Sequence, residues 1–318
     1  MAAMSPGLRQ LIDIDDLDRA GALALLDRAQ ALREAAAGRA PAQATLAGRT
    51  VVNLFFENST RTRISFGLAA RRLGAEVVEF HAHTSSTSKG ETLLDTWRTI
   101  NAMGCDAWVV RHAGDDAVAQ LAAAVGPEAA IVNAGSGTRA HPTQALLDAL
   151  TIRQRTGRLQ GLRVLIVGDV RHSRVARSNL KLLAMLGVGE LRVAAPAALQ
   201  APELAAGGVT LFDRLEPALD GCDVVMALRL QTERMAAASI PDGAAFFRDW
   251  GLTPARMALA RPDAIVMHPG PMNREVEIAS SVADSPAAVI WDQVGNGVAV
   301  RMAVLEAITP PPPAPPRL

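Results

Sequence analysis

Little in this sequence ties it to nucleic acid, a membrane or a metal. Lysine plus arginine number 32 and aspartate plus glutamate number 32, so the formal net charge at pH 7 is zero. Binding to nucleic acid or to an anionic membrane surface calls for a basic excess, which is missing. No run of about 18 apolar residues occurs, so no membrane-spanning helix is expected. The opening stretch, MAAMSPGLRQLIDIDDLD, has no apolar segment behind a basic end and does not read as a secretory signal. Cys105 and Cys222 are the only cysteines. They lie far apart without zinc-ligand spacing, which excludes a Cys-rich zinc site and fits a reducing, cytoplasmic setting. His81 and His83 lack a supporting carboxylate or cysteine pattern, so no metal is expected there. Lysine itself is scarce. It occurs only at Lys89 and Lys181, every other cationic side chain being arginine, and Lys89 stands inside S-K-G-E-T.

What is present describes an ordinary globular protein. The chain has 318 residues, 49% hydrophobic and 20% charged, enough for about two domains at roughly 100–200 residues each. Short apolar runs alternate with longer amphipathic ones, the pattern of an α/β fold with parallel sheets flanked by helices. Strands are predicted at Thr50–Phe56, Glu76–Phe80, Ala107–Arg111, Ala130–Ala134, Arg163–Asp169, Leu191–Ala194, Asp223–Leu228 and Ala264–Met267. Helices are predicted at Asp15–Ala37, Ser59–Leu73, Thr92–Met103, Ala117–Val125, Thr143–Arg155 and Ser173–Leu186, with a last one from about residue 293 or 297 to Ile308. Two α/β domains are expected, 1–150 and 151–292, with the last helix packing back on the first and a Pro-rich tail at 309–318.

Five segments carry chemistry. In FFENSTRTRISF (Phe55–Phe66) an apolar strand gives way to a helix opening on Ser59, Thr60, Arg61, Thr62 and Arg63. A helix N-terminus presents free N–H groups and the positive end of a dipole, and hydroxyls with a guanidinium complete a phosphate site. A plain serine cap would explain Ser59 or Thr60 but not the cluster. The Gly-rich arc and GK[ST] of a P-loop are missing. In G-T-R-A-H-P-T-Q-A-L-L-D (Gly137–Asp148), His141 is held extended before a proline and Gln144 lies on the first helical turn, where the pair could bind a carbonyl group. In L-I-V-G-D-V-R-H-S-R-V-A-R-S-N (Leu165–Asn179) there is no G-x-G-x-x-G, which excludes NAD or FAD binding. Arg171, Arg174 and Arg177 crowd that helix start, as a second anion site or as a solvated basic face. Arg229 and Gln231 project to one side at the end of a strand. Met267–Arg274, M-H-P-G-P-M-N-R, reads as a rigid turn with carbonyls free to accept hydrogen bonds.

Taken together, S-T-R-T-R, S-K-G-E-T-x-x-D-T, V-R-H, H-P-T-Q-A-L-L-D, G-D-x-x-x-S-R-V-x-R-S, R-L-Q-x-E-R and H-P-G-P-M-N-R resemble the aspartate/ornithine carbamoyltransferase family from Leu17 to Ile308. Within it, the resemblance is to the branch that accepts L-aspartate. It implies transfer of the carbamoyl group of carbamoyl phosphate to the aspartate amine, an early step of de novo pyrimidine biosynthesis, with no cofactor. Residues 1–150 would bind carbamoyl phosphate and 151–292 aspartate. Ser59, Thr60, Arg61, Thr62 and Arg111 would hold the phosphate, and Thr62, Arg111 and His141 the carbonyl oxygen. Gln144 and the carbonyls of Pro269 and Gly270 would hold the amide nitrogen. Arg174, Arg229 and Gln231 would bind the aspartate carboxylates. Ser85 and Lys89 look like the loop that enters a neighbouring subunit's site in this family, which implies a homotrimer with shared sites. A compact, flexible ammonium suits that task. The catalytic set would be Arg61, Thr62, Lys89, Arg111, His141 and Gln144, with regulatory or dihydroorotase-like chains as further partners.

Two alternatives stand beside this. One is an ornithine or other amino-acid carbamoyltransferase; the ornithine branch usually shows H-P-C-Q and H-C-L-P, where this chain has His141-Pro142-Thr143-Gln144 and His268-Pro269-Gly270-Pro271. Against a catalytically silent assembly subunit stands the presence of every proposed catalytic side chain, and a general anion-binding module would not need both arginine sets. Two departures from the family pattern affect local stability or charge: Gly67 inside the phosphate helix, where Glu is frequent, and Glu275, where Gly is frequent.

Overall fold

A computed structural model describes residues 7–38, 44–82, 90–231 and 242–309. The chain divides into two compact units, one running to Leu147 and resuming at Gly295, the other Asp148–Val294. Each is built on a five-stranded sheet in which every neighbouring pair is parallel.

The first unit contains β1 (Gln10–Leu11), α1 (Arg19–Ala37), β2 (Thr50–Phe55), α2 (Thr60–Arg72), β3 (Glu76–His81), α3 (Leu93–Asn101), β4 (Ala107–His112), α4 (Ala117–Val125) and β5 (Ala130–Ser136). Helix α5 (Pro142–Thr156) begins in it. The strand order is β1-β5-β4-β2-β3. Strands β2, β4 and β5 are buried along almost their whole length and are mostly apolar, as parallel strands under helices are, with Asn53, Arg111 and Asn133 as buried polar exceptions. Val52, Leu54, Trp108, Val110 and Ile131 pack with Val118 and Leu121 of α4 into one core. The first helix starts at Arg19 rather than Asp15. Asp13 and Asp16 form a reciprocal capping box around a separate 3-10 turn at Ile14–Asp16, and Asp18 then caps α1 through the N–H of Gly21 at 2.6 Å.

The second unit contains β6 (Arg163–Val167), α6 (Arg174–Met185), β7 (Glu190–Ala194), β8 (Val209–Phe212), α7 (Leu215–Leu219), β9 (Val224–Ala227), α8 (Gly243–Trp250), α9 (Pro254–Met257), β10 (Ile265–Met267) and α10 (Ser280–Ala283). Helix α11 (Ile290–Ile308) begins there and ends in the first unit. The order is β10-β9-β6-β7-β8. Strands β1 and β8 and the helices α7 to α10 have no counterpart among the predicted elements, because each is too short to establish a period. Strand β6 stops at Val167, two residues before its predicted end. Gly168 adopts φ +119, and a Cβ there would meet the Leu228 carbonyl oxygen at 2.8 Å. The sheet's end therefore closes only around glycine.

In each sheet the chain runs from one strand, β2 in the first and β6 in the second, to the nearer edge and then returns to the other side of that strand. The reversals fall between β2 and β4 and between β6 and β9. Crevices at the carboxyl ends of such strand pairs are where open parallel sheets bind ligands.

Candidate functional site

The first reversal collects the hydroxyl and guanidinium cluster. Strand β2 ends at Phe55, Glu57 and Asn58 lead out of it, and α2 opens at Thr60. Ser59 is the N-cap residue, yet its side chain makes no capping hydrogen bond. The first turn of α2 is thus not closed by its own cap, and such a helix end attracts an anion. Thr62 is buried on that turn, whereas Thr60 and Arg61 are exposed. The Ser65 hydroxyl donates to the Arg61 carbonyl at 2.6 Å, within the helix.

Arg111 comes from the neighbouring strand β4 and is 7% exposed. It donates to the Ala134 carbonyl at 3.0 Å and to Glu57 Oε1 at 2.9 Å. A β-bulge sets this up. Val110 lies opposite Asn133 and His112 opposite Ser136, so Ala134 and Gly135 together face Arg111. Bulges beside ligand sites re-aim a side chain. Gly135 takes φ +123, and its N–H goes to Asn133 Oδ1 at 2.8 Å instead of to the ladder. The amide of Asn133 in turn donates to the Ile12 carbonyl and to Ser136 Oγ, at 2.8 and 3.0 Å. Glu57 and Asn133 were absent from the sequence-based set; only proximity reveals them.

His141 follows β5 and is 4% exposed, with Gln144 at 8%. Pro142 starts α5, and the His141 carbonyl accepts the N–H groups of Gln144 and Ala145. The turn before it is fixed by Asp115, whose Oδ1 accepts the Thr138 N–H at 2.6 Å. Gly137, at φ +40, leaves space for that carboxylate, since a Cβ would sit 1.9 Å from it.

The second reversal is organised by an acid. Asp169, fully buried, follows Gly168. Its Oδ1 contacts His172 Nδ1 at 2.8 Å, and its Oδ2 accepts the Gln231 N–H at 3.2 Å. Gln231 Nε2 donates to the His172 carbonyl at 2.9 Å. Because β9 ends at Ala227, Arg229 and Gln231 lie beyond the strand, and alternation does not orient them. Asp169 and His172 hold Gln231 instead, and neither residue was in the sequence-based set. The three arginines of the next segment part company. Arg174 is 6% exposed. Arg177 pairs with Glu203 at 2.8 Å, and Arg171 is exposed and reaches the Ala198 carbonyl. Here the N-cap is occupied: Ser173 Oγ accepts the Ala176 N–H.

After β10 the turn carries Pro269 and Gly270, and the Gly270–Pro271 peptide is cis. Glu275 sits at φ +61, which explains why glycine suits that position. Its side chain accepts the Ser280 N–H at 2.7 Å, closing the start of α10. Hydrogen bonding from the Ser280 main chain holds this carboxylate below its ordinary range. Beside Gly67, a Cβ would meet Glu79 Oε1 at 3.2 Å and Arg71 Nη1 at 3.3 Å. Glu79 from β3 thus reaches this helix position, where it accepts from Asn53 Nδ2 at 2.9 Å.

Ser85, Lys89 and His83 lie outside the described residues. His81 contacts Arg63 at 3.1 Å. Among the described residues no group of His, Cys, Asp and Glu is placed to hold a metal ion, and no helix is long and apolar enough to cross a membrane.

Two family models match. Residues 9–154 fit the aspartate/ornithine carbamoyltransferase carbamoyl-P binding domain, and residues 160–308 fit the Asp/Orn binding domain of the same family. The chain belongs to the aspartate/ornithine carbamoyltransferase family. The aspartate carbamoyltransferase catalytic subunit of Gluconobacter oxydans is 54% identical over 95% of this chain and 96% of its own. That of Granulibacter bethesdensis is 58% identical over 83% of each. Among solved structures, aspartate transcarbamoylase from Trypanosoma cruzi in complex with carbamoyl aspartate and phosphate is 35% identical, with a TM-score of 0.84 over 96% of this chain and 97% of that one. For this carbamoyltransferase family member, the fold expected from the motifs agrees with both sheets and with these neighbours.

Proposed function

We propose that the protein transfers the carbamoyl group of carbamoyl phosphate to the amine of L-aspartate, giving N-carbamoyl-L-aspartate and phosphate, in de novo pyrimidine biosynthesis. The observation that carries this reading is that both strand-order reversals end in anion-binding chemistry. One has an open helix start and a braced arginine, the other a buried arginine and an anchored glutamine. The relatives' names supply the substrates.

On this reading Ser59, Thr60, Arg61, Thr62 and Arg111 hold the phosphate. Gln144 and the carbonyls of Pro269 and Gly270 accept the amide hydrogens, and Arg174, Arg229 and Gln231 take the aspartate carboxylates. The amine nitrogen attacks the carbamoyl carbon, a tetrahedral oxyanion forms, and the carbon–oxygen bond to phosphate breaks as the amine loses a proton. Thr62, Arg111 and His141 stabilise that oxyanion, an effect typically worth about 3–4 kcal/mol per preorganised donor. Glu57 and the Ala134 carbonyl keep the Arg111 guanidinium in one orientation, so little reorganisation accompanies the reaction. A colorimetric carbamoyl-transfer assay with aspartate and ornithine side by side tests the assignment. Turnover with ornithine alone would reassign the acceptor.

The active form on this reading is a cytoplasmic homotrimer, with Ser85 and Lys89 serving a neighbour's site. Free Cys105 and Cys222 suit a reducing compartment. The exposed apolar side chains Ile64 and Leu68 of α2 and Val78 of edge strand β3, 54%, 40% and 40% accessible, suit a subunit contact. The relatives' designation as catalytic subunits is in keeping with further regulatory or dihydroorotase-like chains. Refolding a His141→Ala chain together with a Lys89→Ala chain tests the shared site. Random mixing makes about three quarters of trimers mixed, each with one intact site in three, so about a quarter of wild-type activity returns. Recovery no greater than the sum of the separately refolded mutants would place Lys89 in its own subunit's site or in none.

A further inference from the structure

The turn after β10 is held from behind by a buried acid–imidazole pair, of which His268 opens the H-P-G-P-M-N-R motif and Glu277 lies beyond it. His268 is 1% exposed and Glu277 2%. His268 Nδ1 accepts the Gly270 N–H at 2.8 Å, so that nitrogen carries no proton. The ring proton therefore sits on Nε2, which donates to Glu277 Oε1 at 3.1 Å. The same oxygen accepts the Asn273 N–H at 2.5 Å. Behind the pair, the His268 N–H donates to Gln293 Oε1 at 2.9 Å, and Gln293 Nε2 to Asp148 Oδ1 at 2.8 Å. Asn179 Nδ2 donates to the other Asp148 oxygen at 2.8 Å.

This arrangement fixes the direction of one carbonyl. The Pro269–Gly270 peptide is not the cis bond of this turn, which is Gly270–Pro271. In a trans peptide the N–H and C=O point opposite ways. With the Gly270 N–H aimed inward at His268, the Pro269 carbonyl is aimed away from the imidazole. Core packing alone is a poor reason for such a pair, since apolar side chains of similar volume usually hold a core as well or better. Glu277 Oε2, moreover, is buried with no hydrogen-bond partner, a costly state for a carboxylate oxygen.

We propose that His268 and Glu277 are positioning residues that set the Pro269 carbonyl to accept a carbamoyl N–H, and so let the enzyme distinguish carbamoyl phosphate from acyl phosphates that lack the amide. This rests on the carbamoyl-transfer reading above. Glu277 holds the imidazole in the tautomer with a bare Nδ1, and His268 converts that tautomer into a carbonyl direction.

The test compares KM for carbamoyl phosphate with the inhibition constant of acetyl phosphate, which carries a methyl group in place of the amide. In Glu277→Leu and His268→Leu, KM for carbamoyl phosphate rises about tenfold, the scale of one hydrogen bond, while acetyl phosphate inhibits within about twofold of its wild-type constant. His268→Asn, whose Oδ1 can still accept the Gly270 N–H, restores the discrimination to within about threefold. Glu277→Gln, which keeps an acceptor oxygen but loses the charge, narrows it by about threefold and stands in if the leucine variants fail to fold. Equal weakening of both ligands, or an unchanged ratio in every variant, overturns the inference while leaving the carbamoyl-transfer reading intact. A wild-type enzyme that transfers nothing to aspartate sinks the reading and this inference with it.

Discussion

The two sheets share strand number, parallel pairing and a reversal beside the central strand, but their reversals are finished in opposite ways. In the first unit the helix after β2 opens on a serine whose side chain does not cap it, and the strand across the reversal, β4, supplies a braced arginine. In the second, Ser173 closes its helix, and a buried aspartate gathers the segments after β6 and β9. The difference suits the two proposed ligands. A phosphate is compact and can be met by one helix turn and its amides. An amino acid with two separated carboxylates needs side chains from separate segments, and those segments need an internal tie.

Removing Arg61 breaks the comparison most forcefully. Arg61→Ala is expected to lower turnover on the order of 10²-fold or more, since it deletes charge stabilisation where the phosphate departs. Arg61 is exposed, so the melting temperature should barely move. A near-normal rate would reduce the Ser59–Arg63 cluster to an ordinary helix start, and the two reversals would no longer differ in kind.

The next effect lies in the second unit. Arg229→Ala should raise the aspartate requirement by roughly 30-fold or more, the lower end of what leaving a desolvated carboxylate unpaired costs. The KM for carbamoyl phosphate should stay put. Asp169→Asn sharpens the point, because it weakens the hold on Gln231 and on His172 without touching an arginine. It should raise the aspartate requirement by about three- to tenfold, the scale of one or two weakened hydrogen bonds. If Asp169→Asn leaves aspartate saturation unchanged, the aspartate ties the fold together and does not serve the ligand.

What could be read in the sequence follows the same division. Ser59–Thr62 were legible because a strand end, a cap and a helix start lie within one short stretch. Arg174 was legible only as one of three crowded arginines, and burial singles it out. The supporting residues were not legible, since their partners are distant in the chain. Glu57 meets Arg111 54 positions on, and Asp169 meets Gln231 62 positions on. Local pattern carries no such information. Helix α11 shows another limit. Gly295 and Gly297 suggest a late start, yet the helix runs through both from Ile290. At Gly297 a Cβ would lie 2.5 Å from Arg301 Nη1, so the glycine makes room for a guanidinium stacked 5.0 Å from the Phe66 ring centre. A residue that looks like a helix breaker is here a packing device.

The smallest effect concerns the first unit alone and tests how dry the ground behind its arginine is. His112 lies next to Arg111, with its Nδ1 accepting the Gly114 N–H at 2.8 Å and its ring 5.5 Å from Phe56. Burial pushes this imidazole below its ordinary 6.5, against a smaller upward pull from Glu57. The folded state therefore resists a proton that the unfolded chain accepts. His112 contributes its full stability above about pH 6.5, and that contribution declines as the pH falls from there toward the folded value. Thermal melts between about pH 5 and 8 should show a shallower acid-side loss for His112→Gln than for the wild type. Parallel curves for the two proteins would mean that the imidazole is as well solvated folded as unfolded, and that water reaches the back of the Arg111 site. The braced arginine of the first reversal would then work in a wetter setting than the buried Asp169 of the second.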